Sequence, residues 1–172
     1  MVGEPSECGL MQQDRRTMNI EKQSIIEPLP DDTILLENER VWRLKLPIEY
    51  KEFLKKFNGG IPKEKTFFYH NHGYGIVRFL GIVKDYKSSE LGWYDINVVD
   101  SHVGERLSDN MGYGIDVLPI AELFAGDLLC LDFRGNTENP IVSIWFHEES
   151  GEFDPCLEKV ADDFESFLEM LH

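Results

Sequence analysis

Leu46-Pro-Ile-Glu-Tyr-Lys-Glu-Phe-Leu-Lys-Lys-Phe-Asn-Gly-Gly60 is the stretch from which the fold is read. Pro47 has no N–H to lose and a φ already set for a first helical turn, so a helix is expected to start there. Tyr50, Phe53, Leu54 and Phe57 recur at helical spacing and stack four large side chains on one face. Glu49, Lys51, Glu52, Lys55 and Lys56 fall on the other face, and Glu52 precedes Lys56 by the four residues of a helical ion pair. Asn58-Gly59-Gly60 stops the helix, because these residues tolerate the left-handed conformation of a C-terminal cap. The result is a short helix with an aromatic front and a polar back.

Upstream, Asp31 or Asp32 is placed to cap a helix running to Trp42, with Leu35, Asn38, Glu39 and Trp42 on one face. Residues 1–30 read as an N-terminal extension or arm. Within it Ile20–Ile26 is expected as a strand or irregular segment, and Met11 and Met18 are alternative starts. Downstream the period turns strand-like: Thr66–Tyr69, then Gly75–Val83, with His70–Gly73 as the hairpin loop. Ile96, Val99, Val103 and Leu107 keep helical spacing behind a cap at Asp95. That segment is read as a helix over a strand, although Gly104 costs a helix about 1 kcal/mol. Ile115–Leu118 precedes Pro119, which suits an edge or a strand end. Leu128–Phe133 and Ile141–His147 are further strands. A last helix is expected from Asp154 through Leu171, with Pro155 in its first turn and an apolar stripe from Leu157 onward.

Two N-terminal helices, a mostly antiparallel sheet of about five to six strands and a C-terminal helix packed on it make one α+β domain over residues 31–172. The chain of 172 residues is long enough to bury a core without staples. Cys8, Cys130 and Cys156 are few, odd in number and far apart, which speaks against a disulfide framework. No apolar stretch reaches membrane-span length and the N-terminus lacks a signal-peptide pattern, so a soluble cytoplasmic protein is expected.

The formal net charge is −15. It is concentrated in residues 66–172, which hold 6 of the 17 basic but 20 of the 32 acidic side chains. Such a field repels nucleic acid and attracts a basic protein, unless it merely keeps the chain soluble.

The opening Leu-Pro, the Tyr-Lys-x-Phe-Leu body and the Asn-Gly-Gly stop resemble the signature of the SUKH superfamily, the Smi–Knr type of domain. Glu39 matches an acidic position in the family's preceding helix, whereas Arg43 stands where glycine is common. Phe79-Leu80-Gly81, Ala125–Asp132 and Ile144–Glu148 resemble further family segments in the same order. The resemblance implies an immunity protein that binds and silences a cognate bacterial toxin, a nuclease or another polymorphic-toxin domain, by occluding its active site. The alternatives are a regulatory scaffold of the cell-wall-assembly type and, less favoured, a small metal-dependent enzyme.

No catalytic constellation emerges from the residues. His70-x-His72 has metal-like spacing but lacks a second motif, and solvated loop histidines explain it more simply. Cys156, read into the first turn of the last helix, is surrounded by carboxylates that would raise its pKa, so an inert thiol is expected. No cofactor, metal or catalytic role is therefore assigned. The candidate contact surface joins aromatics to carboxylates: Trp93, Tyr94, Asp95, Asp100, Glu105, Asp109, Tyr113 and Asp116, followed by Glu148, Glu149, Glu152 and Asp154. The expected partner is the toxin's C-terminal domain, with no direct contact to nucleic acid or membrane.

Overall fold

The structure is a computed structural model that describes residues 18–172. Met11 and Cys8, considered above, lie outside the described residues. Helix α1 (Asp32–Trp42) begins at Asp31, whose carboxylate accepts the Ile34 N–H at 2.9 Å. It ends at Arg43, held in the left-handed region at φ 57°. An arginine pays a steric cost there that glycine would not. Helix α2 (Ile48–Phe57) starts one residue later than the sequence suggests, with Pro47 as its extended N-cap. Tyr50, Phe53 and Leu54 are buried as the periodicity requires. The expected Glu52–Lys56 pair does not form. Lys55 takes Glu52 at 2.7 Å and Asp32 at 3.2 Å, and Lys56 lies over the Phe57 ring.

The Asn-Gly-Gly stop does more than end a helix. Asn58 has φ 46° and is fully buried. Its amide donates to the carbonyls of Ile82 at 2.8 Å and Ile26 at 3.1 Å, and its Oδ1 accepts the Ile82 N–H at 2.7 Å. A Cβ on Gly59 would come within 2.7 Å of the Phe79 carbonyl oxygen, and one on Gly81 within 2.3 Å of the Asn58 carbonyl oxygen. Two segments separated in sequence are therefore halves of one close backbone contact, which explains why both carry glycine.

Six strands follow in sequence order across one antiparallel sheet: β1 (Thr66–Tyr69), β2 (His72–Phe79), β3 (Val117–Leu123), β4 (Leu128–Asp132), β5 (Ile141–Trp145) and β6 (Leu157–Ala161). The β1–β2 turn is only His70-Asn71, both at positive φ as a tight hairpin needs, so His72 belongs to the strand and faces Tyr69. The sheet is strongly curled. Tyr69 Oη on β1 donates to Glu158 Oε2 on β6 at 2.8 Å, although these are the outermost strands. Along the inner face Phe79 meets Phe53, Phe53 meets Phe164, and Phe67 meets Phe167, each pair with ring centroids 5.1–5.4 Å apart.

Two expectations are corrected here. Pro119 does not end its strand, which runs on to Leu123; it pairs Cys130 of β4, while the β2 ladder reaches only Ala121, so its other side is a local edge as expected. The register shifts between Pro119 and Ala121, and such a bulge accommodates a residue that cannot donate to the ladder. The long C-terminal helix is in fact β6 followed by α4 (Phe164–Glu169), with Asp163 rather than Asp154 as the cap, accepting the Ser166 N–H at 2.7 Å. An apolar stripe read at helical period missed the competing demand: residues 157–161 pair the otherwise open edge of β5.

Helix α3 (Ile96–His102) forms as predicted behind Asp95, then gives way at Val103 to a tighter turn over Gly104–Leu107. It packs against β3, and in the turn that follows it Arg106 covers Trp145. Residues 18–30 lie against the body as an irregular arm. Ile20 bridges to Pro62, Lys22–Ser24 makes a single 3₁₀ turn, and buried Arg78, stacked 4.2 Å from the Tyr94 ring, donates to the Ser24 carbonyl.

Candidate partner-binding surface

Arg106 brings together two acidic segments that lie about forty residues apart. Its guanidinium sits 5.0 Å from the Trp145 ring and donates to the carbonyl of His147 and, at 2.6 Å, to that of Ser150. In return Trp145 Nε1 donates to the Arg106 carbonyl at 3.2 Å, and the Phe153 N–H donates to the Glu105 carbonyl at 2.9 Å. The loop carrying Glu148, Glu149, Glu152 and Asp154 is thus laced to the turn carrying Glu105. Glu148, Glu152 and Asp154 are exposed, and Glu149 receives the Cys156 thiol at 3.5 Å.

Next to this seam the chain folds into a tight loop. Asp109 Oδ1 accepts the N–H groups of Met111 at 2.9 Å and Tyr113 at 3.0 Å, and Ser108 bridges to Gly114. Asp109 therefore shapes the loop, which leaves the side chains of Met111 and Tyr113 74% and 68% exposed. Between this loop, α3 and the end of α1 lies a cleft of about 800 Å³. Asp100, Glu105 and Asp116 line it, with Val41 and Phe153 as apolar walls and Arg43 as the one lysine or arginine among the described residues there. The α1–α3 wall is fixed by Trp42 Nε1 donating to Asn97 Oδ1 at 2.7 Å.

Asp100 is the electrostatically unusual member. It is half-buried, its carboxylate makes no hydrogen bond or ion pair among the described residues, and burial pushes its carboxyl above the usual range. A carboxylate in that position gains from any cation brought into the cleft.

The remaining sequence candidates divide. Trp93 stands 68% exposed beside the His102 ring at 5.5 Å, available for contact. Tyr94 is partly buried beneath Arg78. Asp95 is 1% exposed, and its two oxygens are engaged by the N–H groups of Asn97, Val98 and Val83. These two residues build the scaffold and present little to a partner. The sequence reading overlooked Val41, Arg43, Met111 and Phe153. Only Met111, an exposed apolar residue ahead of Gly112-Tyr-Gly114, carried a local signal.

The other chemical candidates sit elsewhere. His70 and His72 are exposed at the β1–β2 turn. Cys156 lies in the loop before β6 rather than in a helical turn, and burial, the Glu149 contact and neighbouring carboxylates raise its thiol pKa. Cys130 is buried in β4, where burial raises its thiol pKa strongly. Among the described residues no group of three or more histidine, cysteine or acidic side chains is arranged to hold a metal ion, and no helix is long and apolar enough to cross a membrane.

A six-stranded antiparallel sheet that wraps two helices and buries an interlocked Asn-Gly-Gly and Phe-Leu-Gly pair defines a single-domain α+β protein. A family model described as SMI1-KNR4 cell-wall, of the SUKH group, matches residues 33–168, and the chain belongs to that family. Its members are generally non-catalytic and include immunity proteins, which points to protein–protein interaction in general. No curated protein and no solved structure matches the chain.

Proposed function

We propose that this chain is an immunity protein that binds a cognate bacterial toxin domain and blocks its active site by occupancy alone. The observation that carries this reading is the acidic cleft lined by Asp100, Glu105 and Asp116, in a fold that also leaves Trp93, Met111 and Tyr113 exposed. A nuclease toxin presents a basic, phosphate-binding surface. Carboxylates held where phosphates would sit compete for it, while aromatic and apolar anchors supply affinity at the centre of the contact. The charge excess of residues 66–172 would speed the encounter. Neutralisation of this kind takes place in the cytoplasm and needs no turnover.

The test is co-expression with a toxin gene, expected on this proposal beside the gene for this chain. Cells should survive with the wild-type chain and die with an Asp100→Lys/Glu105→Lys/Asp116→Lys variant whose circular dichroism remains native. Survival that does not depend on this protein removes the proposal. The cell-wall wording of the family description supports a second reading, a regulatory scaffold. A gene neighbourhood of wall-assembly enzymes without a toxin would favour it.

A further inference from the structure

A second surface, formed by α2 and α4, has a different character. Phe53, Phe57, Phe164 and Leu168 floor a groove of about 410 Å³, and Ile48 stands at its wall with 69% of its surface exposed. Phe53 and Phe164 belong to the core itself, so the floor is rigidly held by the ring contacts beneath it. Glu49, Glu52, Glu165 and Glu169 rim the groove, with Met18 of the arm also lining it, against Lys56 as the one lysine among the described residues there, lying over the Phe57 ring. Glu52 is neutralised by Lys55, whereas Glu49 and Glu169 make no ion pair among the described residues. None of the acidic-cleft residues takes part.

We infer that this groove docks an amphipathic, lysine- or arginine-flanked helix of a partner protein, at a site separate from the acidic cleft. The floor is apolar and of a size for two or three aliphatic side chains at i, i+3 or i+4 spacing, the pattern by which a helix lays its apolar face into a groove. The rim selects for the opposite charge on either side of that face. Glu169 on α4 and Glu49 on α2 lie in different elements that line the groove, so both helices offer a carboxylate to a basic segment lying in it.

The full chain is titrated with a fluorescent synthetic helix made of leucine and lysine, its leucines at i, i+3, i+4 and i+7. Polarisation should report saturable binding. Ile48→Lys is chosen because Ile48 is exposed and can change without disturbing the core. It should weaken that binding about tenfold, as loss of an apolar wall contact together with an added charge of the probe's own sign does. A Glu105→Lys/Asp116→Lys chain should bind the probe within about twofold of wild type, since those residues line the other surface. A full chain that does not bind, an Ile48→Lys chain that binds as wild type does, or loss of binding in the cleft variant would each overturn the inference. A result of the last kind leaves the proposed role of the acidic cleft intact.

Discussion

Asn58 gives the sharpest forecast of the fold's energetics. Replacing it with alanine leaves three buried backbone groups, the Ile82 N–H and the carbonyls of Ile82 and Ile26, without their partners. Each orphaned group costs about 1 kcal/mol at the least. Alanine must also hold φ 46°, which adds about 1 kcal/mol. Asn58→Ala should therefore lose about 4 kcal/mol, and Asn58→Gly about 3 kcal/mol because glycine adopts the left-handed conformation freely. Asn58→Asp keeps the acceptor for Ile82 N–H but sets a buried carboxylate against two carbonyls. It should fare no better than alanine at neutral pH and recover as the pH falls. Urea unfolding followed by tryptophan fluorescence measures all three; in a domain of this size the alanine loss corresponds to a melting temperature about 10 °C lower. An Asn58→Ala chain within about 1 kcal/mol of wild type, or one more stable than Asn58→Gly, would refute this account of the junction.

Other outcomes follow from single groups. Glu39 accepts the Leu46 N–H and the Lys51 ammonium, each at 2.7 Å, so Glu39→Ala should cost about 2–3 kcal/mol in urea unfolding. Glu39→Gln, which keeps the acceptor, should cost less. The Tyr50 hydroxyl is buried without a hydrogen-bond partner among the described residues, and its burial alone raises its pKa. Tyr50→Phe should accordingly raise stability by about 1 kcal/mol, read as a higher melting temperature. Asp100 carries a folded-state pKa above its unfolded value, so it binds its proton more tightly when folded and opposes folding once ionised. Asp100→Asn should be more stable than wild type at neutral pH, with the gain vanishing as acid protonates the wild-type carboxyl, and should bind the partner more weakly.

What the sequence disclosed, and what it hid, has a physical pattern. Helices α1 and α2 announced themselves because cap, periodicity and stop agree locally: Asp31, the Tyr50–Phe57 face, Asn58. Helix α3 was legible for the same reason at Asp95, against the β-branched residues that follow it. The C-terminal segment was misread because Leu157–Ala161 satisfies a helical stripe and a strand equally, and only the unpaired edge of β5, a long-range fact, decides between them. The candidate contact surface was half legible. Acidic and aromatic residues can be picked from the string, but the union of the Glu105 turn with the Glu148–Asp154 loop depends on Arg106 and Trp145, whose partnership spans the fold. The burial of Asp95 and Tyr94 was hidden too, since a capping aspartate and a presented one look alike in sequence.

The most direct test is the association rate of the C-terminal domain of the proposed cognate toxin with this chain, measured by stopped flow at low and at physiological salt. If the acidic cleft is the contact, the rate should fall about tenfold or more across that range. The Glu105→Lys/Asp116→Lys chain should begin slow and change little. Equal rates for the two proteins at both salts, or an absence of binding by the wild-type chain, would contradict the claim that this protein works by lodging an acidic face against a basic one.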